Sequence, residues 1–309
     1  MKYNQMAKTI NKKNRLKKMK NIKEKLNASQ FITLAELTPP KGTNTEQFIS
    51  SAVAVKNNAD AFLIPDIPNA IMRMSGFSAA CLLQKNGLSS IVQFNCRDRN
   101  QLALQADLLG AYANGFQTVM LVSGEDPKTG DHHEAKGVFD VTLDELFAAT
   151  KAMSEGFDMA GMELDGAADF LVGAPLQISS KVSERFQIRD TISSYMDAGV
   201  SFFVTQPIFN LQMLSDFYES VKDLQPNIFP TVLLLKSLGM ARYMARNVAS
   251  VDIPNELIKQ IQKSKDKNNE CLHICRQTMT SIKEMGLQGV VVSTIGWEHK
   301  LIDVLSNVT

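Results

Sequence analysis

From residue 31 onward, short apolar runs alternate with longer stretches in which apolar residues recur every three or four positions. The first pattern reads as a buried strand and the second as an amphipathic helix. Strands are predicted at 31–37, 61–66, 90–96, 117–123, 168–174, 201–206, 228–235 and 288–294, each followed by a helical stretch. Nearly continuous apolar strands separated by helices belong to a parallel sheet covered on both faces. Eight such units predict an α/β fold, a (β/α)8 TIM barrel, whereas a doubly wound sheet usually stops at about five or six strands. No G-x-G-x-x-G follows the first strand, which also counts against a dinucleotide-binding sheet. Two segments interrupt the alternation. A polar stretch from Asp126 to Gly137 follows the fourth strand, on the side where barrel insertions border catalytic sites, and reads as a substrate loop or lid. Two extra helices are predicted over about 254–286, before the eighth strand.

The segment ahead of the first strand has a different character. Residues 1–29 hold nine lysines and Arg15 against Glu24 alone, a net of +9, which leaves −8 for the body of a chain whose total is +1. Met19, Ile22 and Leu26 recur at helical spacing, so a basic amphipathic helix closing the lower end of the barrel is expected, with the first ten residues disordered. The same charge would suit an acidic protein partner. No aromatic residues interleave with the lysines, so nucleic-acid binding has little support. The expected division is a basic extension at 1–29 and a catalytic barrel at 30–309, since such a barrel commonly fills about 250 residues. No apolar run approaches the roughly 20 residues that cross a bilayer, and no apolar leader opens the chain, so a cytoplasmic protein is expected. Cys81, Cys96, Cys271 and Cys275 show no C-x-x-C spacing and read as reduced thiols.

Polar residues at the C-terminal ends of the predicted strands are the candidates for chemistry. They are Glu36, Asp66 with Asn69, Gln93 with Asn95 and Arg97, Ser123 with Glu125 and Asp126, Gln206, and Thr294. They lie on different strands and converge only if the barrel closes. Glu36 ends an apolar, β-branched strand just before Pro39 and Pro40, and a carboxylate there is costly without a partner or a proton-transfer task. Ser123-Gly124-Glu125-Asp126-Pro127 is a tight turn bearing two adjacent acids. Other constellations are weaker. Adjacent His132 and His133 in an extended loop point in opposite directions, which disfavours a metal site. Cys271, His273 and Cys275 fall on a predicted helix with only the two cysteines sharing a face. Met240 and Met244 could line a pocket near the end of the seventh strand. No P-loop and no Ser-His-Asp elbow is present.

Several of these segments, in this order, resemble the methylenetetrahydrofolate reductase family over roughly residues 30–305, closest to its short bacterial form. Leu34-Ala35-Glu36-Leu37-Thr38-Pro39-Pro40 is similar to the family's F-E-x-x-P-P strand end, and Gln93-Phe94-Asn95-Cys96-Arg97-Asp98-Arg99-Asn100 to its third-strand motif ending T-C-R-D-R-N. Val122-Ser123-Gly124-Glu125 falls where the family has its x-x-G-D turn beside the flavin, Thr205-Gln206 matches its T-Q pair, and Gly296-Trp297-Glu298 follows the eighth strand as in the short forms.

The resemblance implies reduction of 5,10-methylenetetrahydrofolate to 5-methyltetrahydrofolate by hydride transfer from FAD. It assigns Glu36 as the acid that activates the folate and Glu125 as the acid tuning the flavin. Gln206, with Asn95 and Asp66, would bind the folate; Gln93, Ser123, Gly124, Glu125 and Asp126 would border the cofactor. The chain departs from the family at three places: Glu125 replaces an aspartate, Ser194-Tyr195 stands where a basic pair holds the flavin phosphates, and no His-Pro follows the fifth strand. Lys181, Arg185 or Arg189 would have to supply the missing cations. The departures open two alternatives: a flavin-free methyltransferase working between tetrahydrofolate and a corrinoid protein, and a non-catalytic subunit of a reductase complex. A homo-oligomer is also expected by resemblance.

Overall fold

A computed structural model describes residues 22–179 and 181–306. Eight parallel strands pair in sequence order and close on themselves: β1 Ile32–Glu36, β2 Ala61–Ile64, β3 Ser90–Asn95, β4 Thr118–Val122, β5 Leu171–Leu176, β6 Val200–Pro207, β7 Ile228–Leu233 and β8 Gly289–Ser293. The closing pair sets Leu34 of β1 opposite Val291 of β8. This is the (β/α)8 barrel that the alternation predicts.

Side chains alternate across a strand, so each strand feeds two cores. Ile32, Leu34, Leu63, Ile91, Met120, Phe202, Val204, Phe229 and Val291 fill the barrel interior. Their neighbours, among them Ala35, Phe62, Ile64, Val92, Phe94 and Leu121, face the surrounding helices. The helix Ile22–Asn27 closes the lower end: Ile22 is buried in the interior cluster and Leu26 packs against it. Lys25 meets Asp60 at 2.7 Å and Lys23 meets Asp169 at 2.8 Å, so the two lysines also moor the helix. Met19, the other basic residues and the expected disorder of the first ten residues fall outside the described residues.

The fifth strand starts later than the pattern predicts, at Leu171 rather than 168. Ala168 spends its N–H on Met153 at the end of the preceding helix, and the chain joins the sheet only where Leu171 donates to Gln117. The two extra helices are present as Asn255–Lys263 and Lys267–Glu284, preceded by Leu238–Asn247. Cys271 and Cys275 lie on the buried face of the longest one, with His273 exposed. Burial pushes the Cys271 thiol up to about 11 and Cys275 to about 12, so neither is a thiolate at neutral pH. Met240 and Met244 do not line a pocket at the end of β7. Met244 is buried in the outer core, and the Met240 sulfur accepts from the Lys236 N–H at 3.4 Å. Among the described residues no helix is long and apolar enough to cross a membrane.

One glycine sets how tightly the barrel fills. The fully buried Phe202 ring stacks on Phe229 with centroids 5.4 Å apart, and a Cβ placed on Gly173 of β5 would lie 2.3 Å from the Phe202 ring. Gly173→Ala therefore forces the stacked pair aside at an expected cost of about 1–3 kcal/mol. Urea unfolding should show the loss, and adding Phe202→Leu should recover part of it.

Candidate active site

The alternation that fills the barrel floor also selects the groups above it. Two residues beyond the interior Leu34, Ile91, Val204, Phe229 and Val291 come Glu36, Gln93, Gln206, Thr231 and Ser293. All five border one cavity of about 1040 Å³ at the C-terminal mouth, floored by Leu63, Met120 and Val204. Closure thus brings Glu36 and Gln206, 170 positions apart in the sequence, to a single chamber.

Glu36 has one defined partner, Ser293, whose hydroxyl donates to its carboxyl oxygen at 2.7 Å. Burial pushes the Glu36 pKa up. The Ser293 hydrogen bond opposes that shift without cancelling it, and the like charge of Glu298 adds to it. Glu298 borders the same cavity and is held by the Gly296 N–H at 3.0 Å. The strand-end pattern points to Thr294 here, whereas the partner of Glu36 is Ser293. The Thr294 hydroxyl is buried without a partner, whereas counting by twos from Val291 leads to Ser293.

Gln206 is already engaged by the chain. Its carbonyl accepts from Ile178 N at 3.0 Å and its amide donates to Ile178 O at 2.7 Å, pinning the loop after β5 to the end of β6. An amide pinned this way keeps one further hydrogen and one further lone pair. The β6–β7 register slips between Val204 and Pro207, and two threonines bridge the gap. Thr231 N donates to the Thr205 hydroxyl at 3.2 Å, and the Thr231 hydroxyl donates to Thr205 O at 2.6 Å.

Asp66 and Asn95 border the cavity, but their polar atoms turn into a buried knot between β2 and β3. The Asp66 carboxylate accepts from Gly76 N at 2.8 Å, Asn95 at 3.1 Å and Arg99 at 2.6 Å. Asn95 also accepts from Asp98 N at 3.0 Å. Gln93 accepts from Asp66 N at 3.0 Å, so its carbonyl belongs to this knot while its side chain borders the cavity. Arg97, fully buried, grips Asp98 through two bonds of 2.7 and 2.6 Å and donates to Ile67 O at 3.0 Å. These partners explain the R-D-R run: it welds the rim.

The turn after β4 rests on that weld. Gly124 takes a left-handed φ of 87°, and a Cβ there would meet the Arg97 Cβ at 2.8 Å, so only glycine lets the turn approach so closely. Ser123, Gly124 and Glu125 border the cavity, with the Glu125 carboxylate drawn to Arg97 at 3.3 Å. Asp126 instead caps the following turn by accepting from Lys128 N at 2.9 Å, and it does not border the cavity. Beyond it the polar loop is locked down. A Cβ on Gly130 would lie 1.8 Å from Ala70 O. Asp131 accepts from Lys41 at 2.5 Å and Met72 N at 2.9 Å, and the Lys41 bond leads the contacts that hold its carboxyl well below the usual range. The segment beyond Glu125 is therefore a clasp joining the loops after β1 and β2, not a lid over the cavity. Among the described residues no group of three or more His, Cys, Asp or Glu side chains could hold a metal.

A flavin diphosphate does not fit the side chains present. Lys181 pairs with Glu184 at 2.8 Å, Arg185 faces Asp216 at 3.9 Å, and Arg189 grips both Asp223 oxygens at 2.6 and 2.5 Å. Tyr195 packs edge-on against Phe147 at 4.8 Å. None of the four borders the cavity, and among the described residues Arg73 is the only arginine or lysine that does. The other ionisable side chains reaching into it are Glu36, Glu125 and Glu298. The knot yields a stability test: Asp66→Asn takes the buried carboxylate from the mostly buried Arg99, a loss worth about 3–5 kcal/mol for a fully buried pair. Asp107, 2.7 Å from Arg99, should hold the loss to the lower end, measurable by thermal unfolding.

Comparisons with known proteins agree with this architecture. The methylenetetrahydrofolate reductase family model matches residues 19–308. No curated protein sequence matches significantly. Among solved structures, a Clostridium thermocellum protein that binds two copies of 5-methyl-5,6,7,8-tetrahydrofolic acid superposes with a TM-score of 0.61 at 17% identity, covering 92% of this chain and 96% of that one. An oxaloacetate acetylhydrolase follows at 0.50 and 12% identity, over 90% and 80%. A 2,3-dimethylmalate lyase also reaches 0.50 at 10% identity, over 92% and 81%, and at such identities these likenesses speak to the fold alone. The family model spans nearly the whole barrel and its supporting helices, and the chain belongs to the methylenetetrahydrofolate reductase family.

Proposed function

We propose that the chain binds a tetrahydrofolate derivative in the barrel mouth and transfers its methyl group without a resident flavin, with Glu36 as the acid acting on the folate nitrogen. The observation that carries this reading is a protonatable carboxyl in a cavity that lacks a diphosphate cradle. The Clostridium thermocellum protein with the same fold, which binds 5-methyltetrahydrofolic acid, supports the choice of ligand.

The chemistry needs an acid in this position. The N5–CH3 bond of 5-methyltetrahydrofolate breaks easily only when N5 can leave as a neutral amine. Protonated Glu36 gives its proton to N5, the bonding electron pair stays on nitrogen, and the methyl carbon passes to an external nucleophile, such as the reduced cobalt of a corrinoid protein. Tetrahydrofolate leaves with N5–H, and the Glu36 carboxylate regains a proton from water at the open mouth. A carboxyl whose pKa is raised by burial above its ordinary value is suited to that exchange. Gln206, through its remaining hydrogen and lone pair, and the Gln93 amide would orient the pterin edge without adding charge. Glu125 would stay on the rim beside Arg97.

A second reading is the family's own reaction, reduction of 5,10-methylenetetrahydrofolate, which the match over residues 19–308 favours. There Glu36 would protonate the departing nitrogen of the bridged ring in the same way. The absorbance spectrum of the purified protein separates the two: a colourless protein that binds 5-methyltetrahydrofolate supports methyl transfer, and bound flavin supports the reductase. Binding of neither ligand supports a non-catalytic subunit.

Two outcomes follow for Glu36. Glu36→Gln should lower turnover at least a hundredfold while folate affinity stays within about tenfold, because the lost proton acts on the chemical step. Steady-state rates and titration calorimetry check this, and unchanged turnover removes Glu36 from the mechanism. The second outcome concerns pH. With its folded pKa above the unfolded value of 4.5, Glu36 contributes stability that is full below 4.5 and is lost as pH rises through the folded value. Glu36→Gln should therefore melt higher than the unsubstituted protein at pH 8, with the gap closing near pH 4.

A further inference from the structure

We infer that Arg73 is the anion anchor of the cavity and receives a carboxylate of the glutamyl tail that folates carry. This rests on the folate reading above and extends it from the pterin end of the ligand to the opposite end.

Arg73 sits half-buried on the loop after β2 and borders the cavity. One arm of its guanidinium donates to Pro39 O at 3.2 Å. No carboxylate pairs with it among the described residues, and most of its donors stay unengaged. The cations nearest it in the rim differ: Lys41 is matched by Asp131, Arg97 by Asp98 and Arg99 by Asp66. A partly buried cation without a counter-charge is costly unless a ligand supplies one.

The chemistry of that ligand follows from the surroundings. A single guanidinium fork matches a carboxylate through two parallel bonds. A diphosphate would ask for further cations, and the remaining accessible charges here are acids that repel it. The place is also suitable. Pro39, the residue that holds Arg73, lies three positions past Glu36 in the sequence, so the guanidinium stands on the rim of the wall that carries the acid. A ligand with its pterin on Glu36 and Gln206 can run its aminobenzoyl spacer up that wall, past Asn44 and Asn69, to the fork.

The test compares two ligands and two variants by titration calorimetry: 5-methyltetrahydrofolate, and a 5-methyltetrahydropterin that lacks the aminobenzoylglutamate. Arg73→Gln should bind the tailed ligand at least tenfold more weakly and the tail-less one unchanged, and Arg73→Lys should keep part of the tailed affinity. Equal losses for both ligands would mean that Arg73 merely shapes the loop through Pro39, and no loss for either would mean that the tail goes elsewhere. Each of those results overturns this inference and leaves the folate reading standing. If the unsubstituted protein binds neither ligand, the folate reading fails and this inference fails with it.

Discussion

A strand inside a closed parallel barrel sends alternate side chains to two destinations, the interior or the helical shell, and it cannot shift by one residue without reversing both. That constraint governs this molecule. It fills the floor with Leu34, Ile91, Phe202, Val204, Phe229 and Val291, and it carries Glu36, Gln93, Gln206, Thr231 and Ser293 into the layer above. Glu36 is therefore held toward the cavity, where it is only partly exposed. Its elevated pKa is the consequence, since one hydroxyl hydrogen bond from Ser293 offsets only part of the lost hydration.

Two kinds of charge surround the mouth, and they do different work. Around Asp66, Arg97, Asp98 and Arg99 every charge is matched at short range, with Asp66 and Arg97 buried and Arg99 and Asp98 reaching the surface. Such pairs add little net stability over apolar packing, yet breaking one is expensive, so their effect is to fix geometry. They hold a strained segment: Ile67, Asn69 and Ala70 all adopt left-handed φ values of 48°, 55° and 54°, although none is glycine. Strain of this kind persists only where its surroundings dictate it. Here Arg97 binds Ile67 O from below, and Gly130 closes against Ala70 from the side. Groups without a counter-charge, among them the Glu36 carboxyl and the Arg73 guanidinium, project from this rigid frame toward the cavity. A frame that keeps its own polar groups satisfied leaves the ligand to meet those that are not.

The family motifs accordingly divide in two. The E-L-T-P-P strand end supplies a group that faces the cavity, whereas much of N-C-R-D-R-N supports the frame from within. Spacing in the sequence does not distinguish these uses, because Asp66 and Glu36 both stand at strand ends. For these two, parity does, since Asp66 continues the outward series Phe62 and Ile64 and Glu36 the inward series Ile32 and Leu34; Asn95, inward by parity, still turns its amide to Asp66.

By itself the sequence determined the eight-strand barrel, the two added helices before β8, the packing role of the cysteine-bearing helix, and the position of Glu36 at a strand end. These follow from local periodicity and from the cost of placing a carboxyl beside an apolar run, which neighbours along the chain are enough to express. Only the tertiary structure decided the rest. That Asp66 and Asn95 are locked into a knot, that Arg185 and Arg189 face Asp216 and Asp223 rather than the cavity, and that Arg73 is the one arginine or lysine among the described residues to border the cavity all depend on contacts between separate segments. Whether a charge is spent or available is a property of its partners in space, and no pattern along the chain records those.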